Sequence, residues 1–361
     1  MALTINQLPN RIITHEGCEY LFFSGTSYLG VAQHPHMQAL LGEGVAQYGL
    51  HFGASRNGNL QLAVFDEAES KLALNVGAPA ALTTSSGMLA GQVVVDWLAR
   101  QVGPKAVGFQ APGTHPALWH PLLTPQTIDL HKHEPLPPDV HPAYILTNSV
   151  DAIRSVLFSF NWLSQLTDVQ QIWLVVDDSH GLGVLNGGRG IWPQLAEKLA
   201  HKPNVRLIVT ASLAKAMSLP AGVIFGDPDT LAAIRQTAYF GACSPMPPAY
   251  ADAFCHADRV YAQGYDRLMG NIALAEAALL PSGLFSHAIG YPVFYTDHDE
   301  LYPYLLENGI FVYSFAYPTP ADKANTRIVI SAFHEPQDID NLAIAVRRFA
   351  QQHPHLRPIR A

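Results

Sequence analysis

The stretch Ile172–Gly190, IWLVVDDSHGLGVLNGGRG, constrains this chain more than any other. Ile172 to Val176 is an unbroken apolar run of the kind that suits a buried strand. Asp177, Asp178, Ser179 and His180 follow at once, and glycines stand at 181, 183, 187, 188 and 190. In an open α/β sheet, ligands sit beyond the carboxyl ends of the strands. An acid pair and a histidine at such an end are therefore placed for chemistry.

A second stretch, RLIVTASLAKAMSLPAG at 206–222, repeats the arrangement. Leu207–Val209 is its strand-like part, and Lys215 follows in a run that is otherwise small or apolar. An ammonium in such surroundings is costly and its proton affinity falls. That is the setting of a Schiff-base lysine. Upstream, a strand at Ala80–Thr84, the turn Ser85-Ser86-Gly87-Met88 and a helix over Leu89–Arg100 together present free N–H groups to an anion. The same pattern also reads as an ordinary helix cap. Further strands at Ala106–Gln110 and Ala143–Leu146 end at Gly113-Thr114-His115 and Thr147-Asn148-Ser149.

Strands alternate with helices as far as Gly226, which predicts an α/β fold with a mostly parallel central sheet flanked by helices. Beyond it come helical Pro228–Tyr239, a rigid turn at Gly241–Pro248 and one long helical stretch, Ala249–Leu280. Shorter elements follow, among them a strand at Arg327–Ser331 and a helix over Pro336–Gln351. They predict a small C-terminal α+β domain. The expected division is an N-terminal arm over 1–45, a large domain over 46–250, and a linking helix with the small domain over 251–361.

Several function classes are disfavoured. The chain is 14% charged with a formal net charge of -8 and has no dense basic run, which argues against a nucleic-acid partner. No run of roughly 18 apolar residues is present, so no membrane span is expected. Cys18, Cys243 and Cys255 lie far apart without CxxC spacing, which fits a reducing compartment, and MALTINQLPNR lacks the order of a signal peptide. A cytoplasmic location is expected. His131, His133 and His141 read as an exposed proline-rich loop, not a metal site, since no carboxylate–histidine pattern surrounds them. Asp177, Ser179 and His180 lack the GxSxG elbow of a hydrolase, and Gly181-Leu182-Gly183 lacks the third glycine of a dinucleotide fingerprint.

A lysine after one strand, an acid after its neighbour, an anion cradle and a histidine able to cover a ring are what pyridoxal phosphate requires. The strings VVDDSHGLGVLNGGRG and TASLAKA resemble the α-oxoamine synthase family of fold-type I pyridoxal phosphate enzymes, within the class I/II aminotransferase superfamily. SYLG at 27–30, GASR at 53–56, SSGM at 85–88, the prolines at 247–248, LLENGIFV at 305–312 and RIVISAFHEPQDIDNL at 327–342 extend the likeness over most of the chain.

The resemblance implies a role for each matching position. Lys215 would carry the cofactor's aldehyde as a Schiff base and then move the substrate's Cα proton. Asp177 would pair with the ring nitrogen, His180 would bond the ring hydroxyl oxygen, and His115 would stack on the ring. Ser86, Gly87 and Met88 would hold the phosphate, with hydroxyls added by Ser212 and, from a partner subunit, Ser244. Arg327 would grip the amino-acid carboxylate. Thr26 stands where the family commonly has a carboxylate-binding asparagine, and Asn148 and Ala152 replace a family glutamate and serine. These departures spare the residues expected to hold the cofactor.

The implied reaction condenses a small amino acid with an acyl-CoA or other acyl thioester, with decarboxylation, in a homodimer with shared active sites. An aminotransferase or other Cα chemistry on the same fold is the alternative, and a degenerate non-catalytic homologue is the third reading.

Overall fold

The computed structural model describes residues 3–130, 141–316 and 324–356. His131 and His133 lie outside the described residues. The chain divides into two compact units. The larger comprises Pro35–Val150 and Phe158–Asp258, and the smaller comprises Met1–His34, Asp151–Leu157 and Arg259–Ala361.

The larger unit is built on a seven-stranded sheet. Its strands are β1 (Ala80–Thr84), β2 (Gly108–Gln110), β3 (Gln126–Thr127), β4 (Tyr144–Asn148), β5 (Ile172–Asp177), β6 (Val205–Ser212) and β7 (Gly222–Gly226). They lie in the order β1-β7-β6-β5-β4-β2-β3. The β6-β5, β5-β4, β4-β2 and β2-β3 pairings are parallel, as the strand–helix alternation predicts. The exception is β7, which runs antiparallel to both β6 and β1. A parallel return needs a crossover, usually a helix. Residues 213–221 contain none, so the chain folds straight back.

The register aligns the strand ends. Asn148 lies beside Asp177, and Asp177 beside Thr210, so β4, β5 and β6 finish at one edge of the sheet. Helix α3 (Gly87–Val102) follows α1 (Pro35–Tyr48) and α2 (Ala63–Val76). Its Val94, Leu98 and Trp97 pack against Leu82, Leu146, Val175, Ile208 and Ile224 from five different strands. Fully burying a Val or Leu contributes about 1.5–3 kcal/mol, so this face fixes the helix firmly to the sheet. Its first turn is thereby held near the carboxyl ends of the strands. Helix α4 (Trp192–Lys198) follows β5.

Two expected helices are each two helices. Pro228–Tyr239 divides into α5 (Pro228–Arg235) and α6 (Ala238–Ala242), because the Thr237 hydroxyl accepts the Phe240 N–H at 3.2 Å and starts a new helix. The stretch Ala249–Leu280 divides at Ala257 into α7 (Pro248–His256) and α8 (Asp258–Leu279), with Asp258 opening the second. Helix α1 packs on α7 so closely that a Cβ on Gly44 would fall 2.7 Å from the Ala249 carbonyl oxygen.

The smaller unit holds a three-stranded sheet of Ile12–His15, Cys18–Phe22 and Ile310–Phe311. A second, antiparallel sheet has the order Ser286–His287, Val293–Thr296, Ala324–Val329, Tyr313–Ala316. Most of α8, α9 (Leu301–Glu307) and α10 (Pro336–Gln352) belong to this unit. Glu335 and Asp338 form a reciprocal capping box at the start of α10. Beside it lies His334, whose Nδ1 accepts the Ser331 N–H at 3.0 Å and whose Nε2 donates to the Phe22 carbonyl at 2.9 Å. Burial lowers its proton affinity to about 4, so the ring is neutral. Among the described residues, no helix is long and apolar enough to cross a membrane.

Candidate active site

Asp177, which ends the strand Ile172–Asp177, and Asp178, which follows it, point to opposite sides, as consecutive side chains in extended backbone do. Asp177 faces the site. Its Oδ1 accepts the Ser179 N–H at 2.9 Å, and its Oδ2 lies 3.6 Å from Nδ1 of His115. Asp178 turns into the glycine loop, where its Oδ2 accepts the Ile191 N–H at 2.7 Å. A Cβ on Gly181 or Gly190 would fall 2.0 or 2.1 Å from the Asp178 carboxylate oxygens. Those two glycines are therefore the space that the buried acid occupies, and burial pushes its pKa up to about 7.

His115 closes one side of the site. Its Nδ1 accepts the Ala117 N–H at 3.1 Å, which assigns the neutral ring to the tautomer with its proton on Nε2. Burial lowers the proton affinity of the imidazole. Asp177 opposes that effect and the charge of Lys215 adds to it. Lys215 is thus within electrostatic reach of the same imidazole. It sits half-buried in the loop between β6 and β7. The Leu213 N–H bonds the Ala221 carbonyl at 2.9 Å and closes that loop, and the Ser218 N–H bonds the Lys215 carbonyl at 3.1 Å. Ser218 has φ +56°, a left-handed conformation that is uncommon for a non-glycine residue.

The anion cradle lies at the start of α3. The Ser86 hydroxyl accepts the Leu89 N–H at 3.1 Å and caps the helix. The Gly87 and Met88 N–H groups precede it and have no intrahelical carbonyl to bond. A Cβ on Gly87 would fall 2.5 Å from Cβ of Ser212, and one on Gly222 would fall 2.2 Å from the Ser86 carbonyl oxygen. The cradle is thus pressed directly against the ends of β6 and β7. The Ser212 N–H in turn bonds the Ser179 hydroxyl at 2.9 Å, which links the cradle to the loop that carries Asp177.

The larger unit therefore gathers Ser86, Gly87, Met88, Ser212, Asp177, His115 and Lys215 at one edge of its sheet. His180 is half-buried directly after Ser179, and Ser244 is exposed between α6 and α7. Arg327 and Thr26 belong to the smaller unit. Arg327 is buried there, donating from Nη1 to the Ala152 carbonyl at 3.0 Å, and Thr26 is half-buried. Two contributors went unassigned in the sequence. One is the Ser179 hydroxyl, and the other is Asn148, whose side chain bonds the backbone on both sides of Thr114. Their position at strand ends was the available signal.

These residues fit pyridoxal phosphate. A single buried carboxylate faces a flat, neutral imidazole, and an amine stands close by. The phosphate-sized end offers backbone N–H groups at a helix start whose glycine leaves no room for a Cβ.

The model of the aminotransferase class I and II family matches residues 128–346. An 8-amino-7-oxononanoate synthase of Pectobacterium atrosepticum is 30% identical over 90% of this chain and 87% of its own length. One from Aromatoleum aromaticum is 29% identical over 93% and 91%. Among solved structures, the serine palmitoyltransferase of Sphingomonas wittichii superposes with a TM-score of 0.80 at 16% identity, covering 98% of this chain and 93% of that one. The 8-amino-7-oxononanoate synthase of Francisella tularensis gives 0.72 at 19%, covering 92% and 99%. These structures share the fold.

Proposed function

From the premise that the chain belongs to the aminotransferase class I and II family, as a pyridoxal phosphate enzyme of its α-oxoamine synthase branch, we propose that it condenses a small amino acid with an acyl-CoA. The products are an α-amino ketone, free CoA and carbon dioxide, as in an 8-amino-7-oxononanoate synthase-like acyltransfer. The observation that carries the reading is the neutral His115 imidazole 3.6 Å from the Asp177 carboxylate, with Lys215 near enough to shift its proton affinity.

Pyridoxal phosphate, when bound, supplies an electron sink for the charge that develops at the substrate's Cα. Lys215 Nζ would be the amine that tethers it, and the same Nζ would move the Cα proton. Asp177, whose Oδ1 already accepts the Ser179 N–H, would keep the ring nitrogen protonated. The His115 ring would cover one face and exclude water from it. His180 would bond the ring hydroxyl oxygen. Ser86, Gly87, Met88 and Ser212 would hold the phosphate, and Ser244 is the hydroxyl that this chain would lend to the site of a second copy. Arg327, with a planar fork matched to a carboxylate, would bind the amino acid, and Thr26 stands where the family commonly has a carboxylate-binding asparagine. The working state is a cytoplasmic homodimer.

The test is to supply the purified holoenzyme with small amino acids and acyl-CoAs, alone and together, while following free thiol and released carbon dioxide. Both should appear, in equal amounts, only when both substrates are present. Conversion of the bound cofactor to its amine form by an amino acid alone, with no thiol released, would replace this reading with an aminotransferase.

A further inference from the structure

Asn148 is the last residue of β4 and lies beside Asp177 in the sheet register. Both polar atoms of its side chain are spent on one short piece of backbone. Nδ2 donates to the Gly113 carbonyl at 2.8 Å, and Oδ1 accepts the His115 N–H at 3.0 Å. The amide thus binds the turn on both sides of Thr114, as a neighbouring strand would. The turn needs such support. Gly113 has φ +71°, and the imidazole it delivers must meet Asp177 from a loop well outside β5. Other contacts hold the far side of the turn. The Thr114 hydroxyl donates to the Ala111 carbonyl at 2.7 Å, and Gln92 Nε2 donates to the Ala117 and Trp119 carbonyls at 3.0 and 2.9 Å. Only Asn148 holds both ends of the Gly113–His115 segment itself among these.

Given His115 as the imidazole that covers the cofactor ring, a reading on which this rests, we infer that Asn148 is a positioning residue. Its neutral amide locks the Gly113–His115 turn so that the ring stands over Asp177. Two physical requirements favour an amide here. The segment offers one acceptor and one donor, and an amide answers both, whereas a carboxylate would face the Gly113 carbonyl with no proton to give. The amide also adds no charge beside His115, where the family's glutamate would add one. The groups whose charge reaches the His115 ring are Asp177, from the end of β5, and Lys215, from the loop after β6. One acid can neutralise a protonated ring nitrogen. A carboxylate in place of the amide would raise the proton affinity of His115.

The test uses Asn148→Asp and Asn148→Ala in the full chain, with His115 followed by NMR in selectively labelled protein and by the absorbance of the bound cofactor across pH. Asn148→Asp should raise the His115 titration midpoint by about one unit, as expected for an opposite charge a few ångströms away. Asn148→Ala should leave the midpoint near the parent's value. It should broaden the ring resonances and weaken the cofactor's induced circular dichroism, with binding falling about tenfold through one lost clamp. An unshifted midpoint in Asn148→Asp, or unchanged ring resonances and cofactor spectra in Asn148→Ala, would overturn the inference. The NMR titration is read without substrates or bound cofactor. It therefore stands or falls separately from the acyl-transfer reading, which the release of thiol and carbon dioxide by the parent tests.

Discussion

Replacing Gly87 by alanine tests the anion cradle most sharply. The new Cβ would stand 2.5 Å from Cβ, 2.6 Å from Cα and 2.9 Å from the backbone N of Ser212. Carbon atoms in contact rest at about 3.5–4.0 Å, so roughly 1 Å of displacement is required. Two of the three neighbours are main-chain atoms of β6, which cannot rotate aside. The start of α3 must therefore lift from the strand end, at an overpacking cost of about 1–3 kcal/mol. Lifting it misaims the Gly87 and Met88 N–H groups, and a hydrogen bond to a charged group contributes about 1.5–3 kcal/mol. Pyridoxal phosphate affinity should fall about 10- to 100-fold. Titration of the apoprotein by absorbance measures this, with a thermal melt beside it. Gly42→Ala in α1 is the control, since its Cβ would enter open space and helix propensity favours alanine by up to about 1 kcal/mol. If Gly87→Ala binds the cofactor within about twofold of the parent, the cradle is elsewhere, whatever happens to the melt.

Two further predictions concern buried charge. Arg56 is 2% exposed and meets both Glu69 oxygens, at 2.8 and 3.2 Å, while Glu69 also accepts from Thr83. Glu69→Gln leaves a buried cation and should cost about 3–5 kcal/mol in urea unfolding, whereas Asp66→Asn, at an exposed partner of the same arginine, should cost under about 1 kcal/mol. His334 is neutral in the fold with its proton affinity lowered to about 4, against about 6.5 in the unfolded chain. Between those values the unfolded chain binds the extra proton. Stability should therefore fall as pH drops from about 6.5 to 4, by at most about 3 kcal/mol. His334→Gln should flatten that part of the pH profile, and an unchanged slope would refute the assignment.

Much of the sheet was legible because its signals are local. The apolar run Ile172–Val176 and the polar residues after it marked β5 and its functional end, and Ser85-Ser86-Gly87 marked the start of α3. Asp177 and Asp178 are the same residue type side by side, and only the alternation of a strand tells that one faces the site and the other the glycine loop. The reversed direction of β7 was hidden, since it depends on the absence of a crossover helix from 213–221. The break at Ala257 carries no proline or glycine to announce it. The clamp from Asn148 joins residues 33 and 35 positions away in sequence, and no local pattern reports such a contact.

The tether is the claim on which the chemistry depends. Holoenzyme reduced with borohydride and digested should yield a single phosphopyridoxyl-modified peptide, the one that contains Lys215. Lys215→Ala should bind the cofactor without forming that adduct. An adduct on another lysine, or a cofactor that binds the parent chain yet resists reduction onto any amine, would contradict the account.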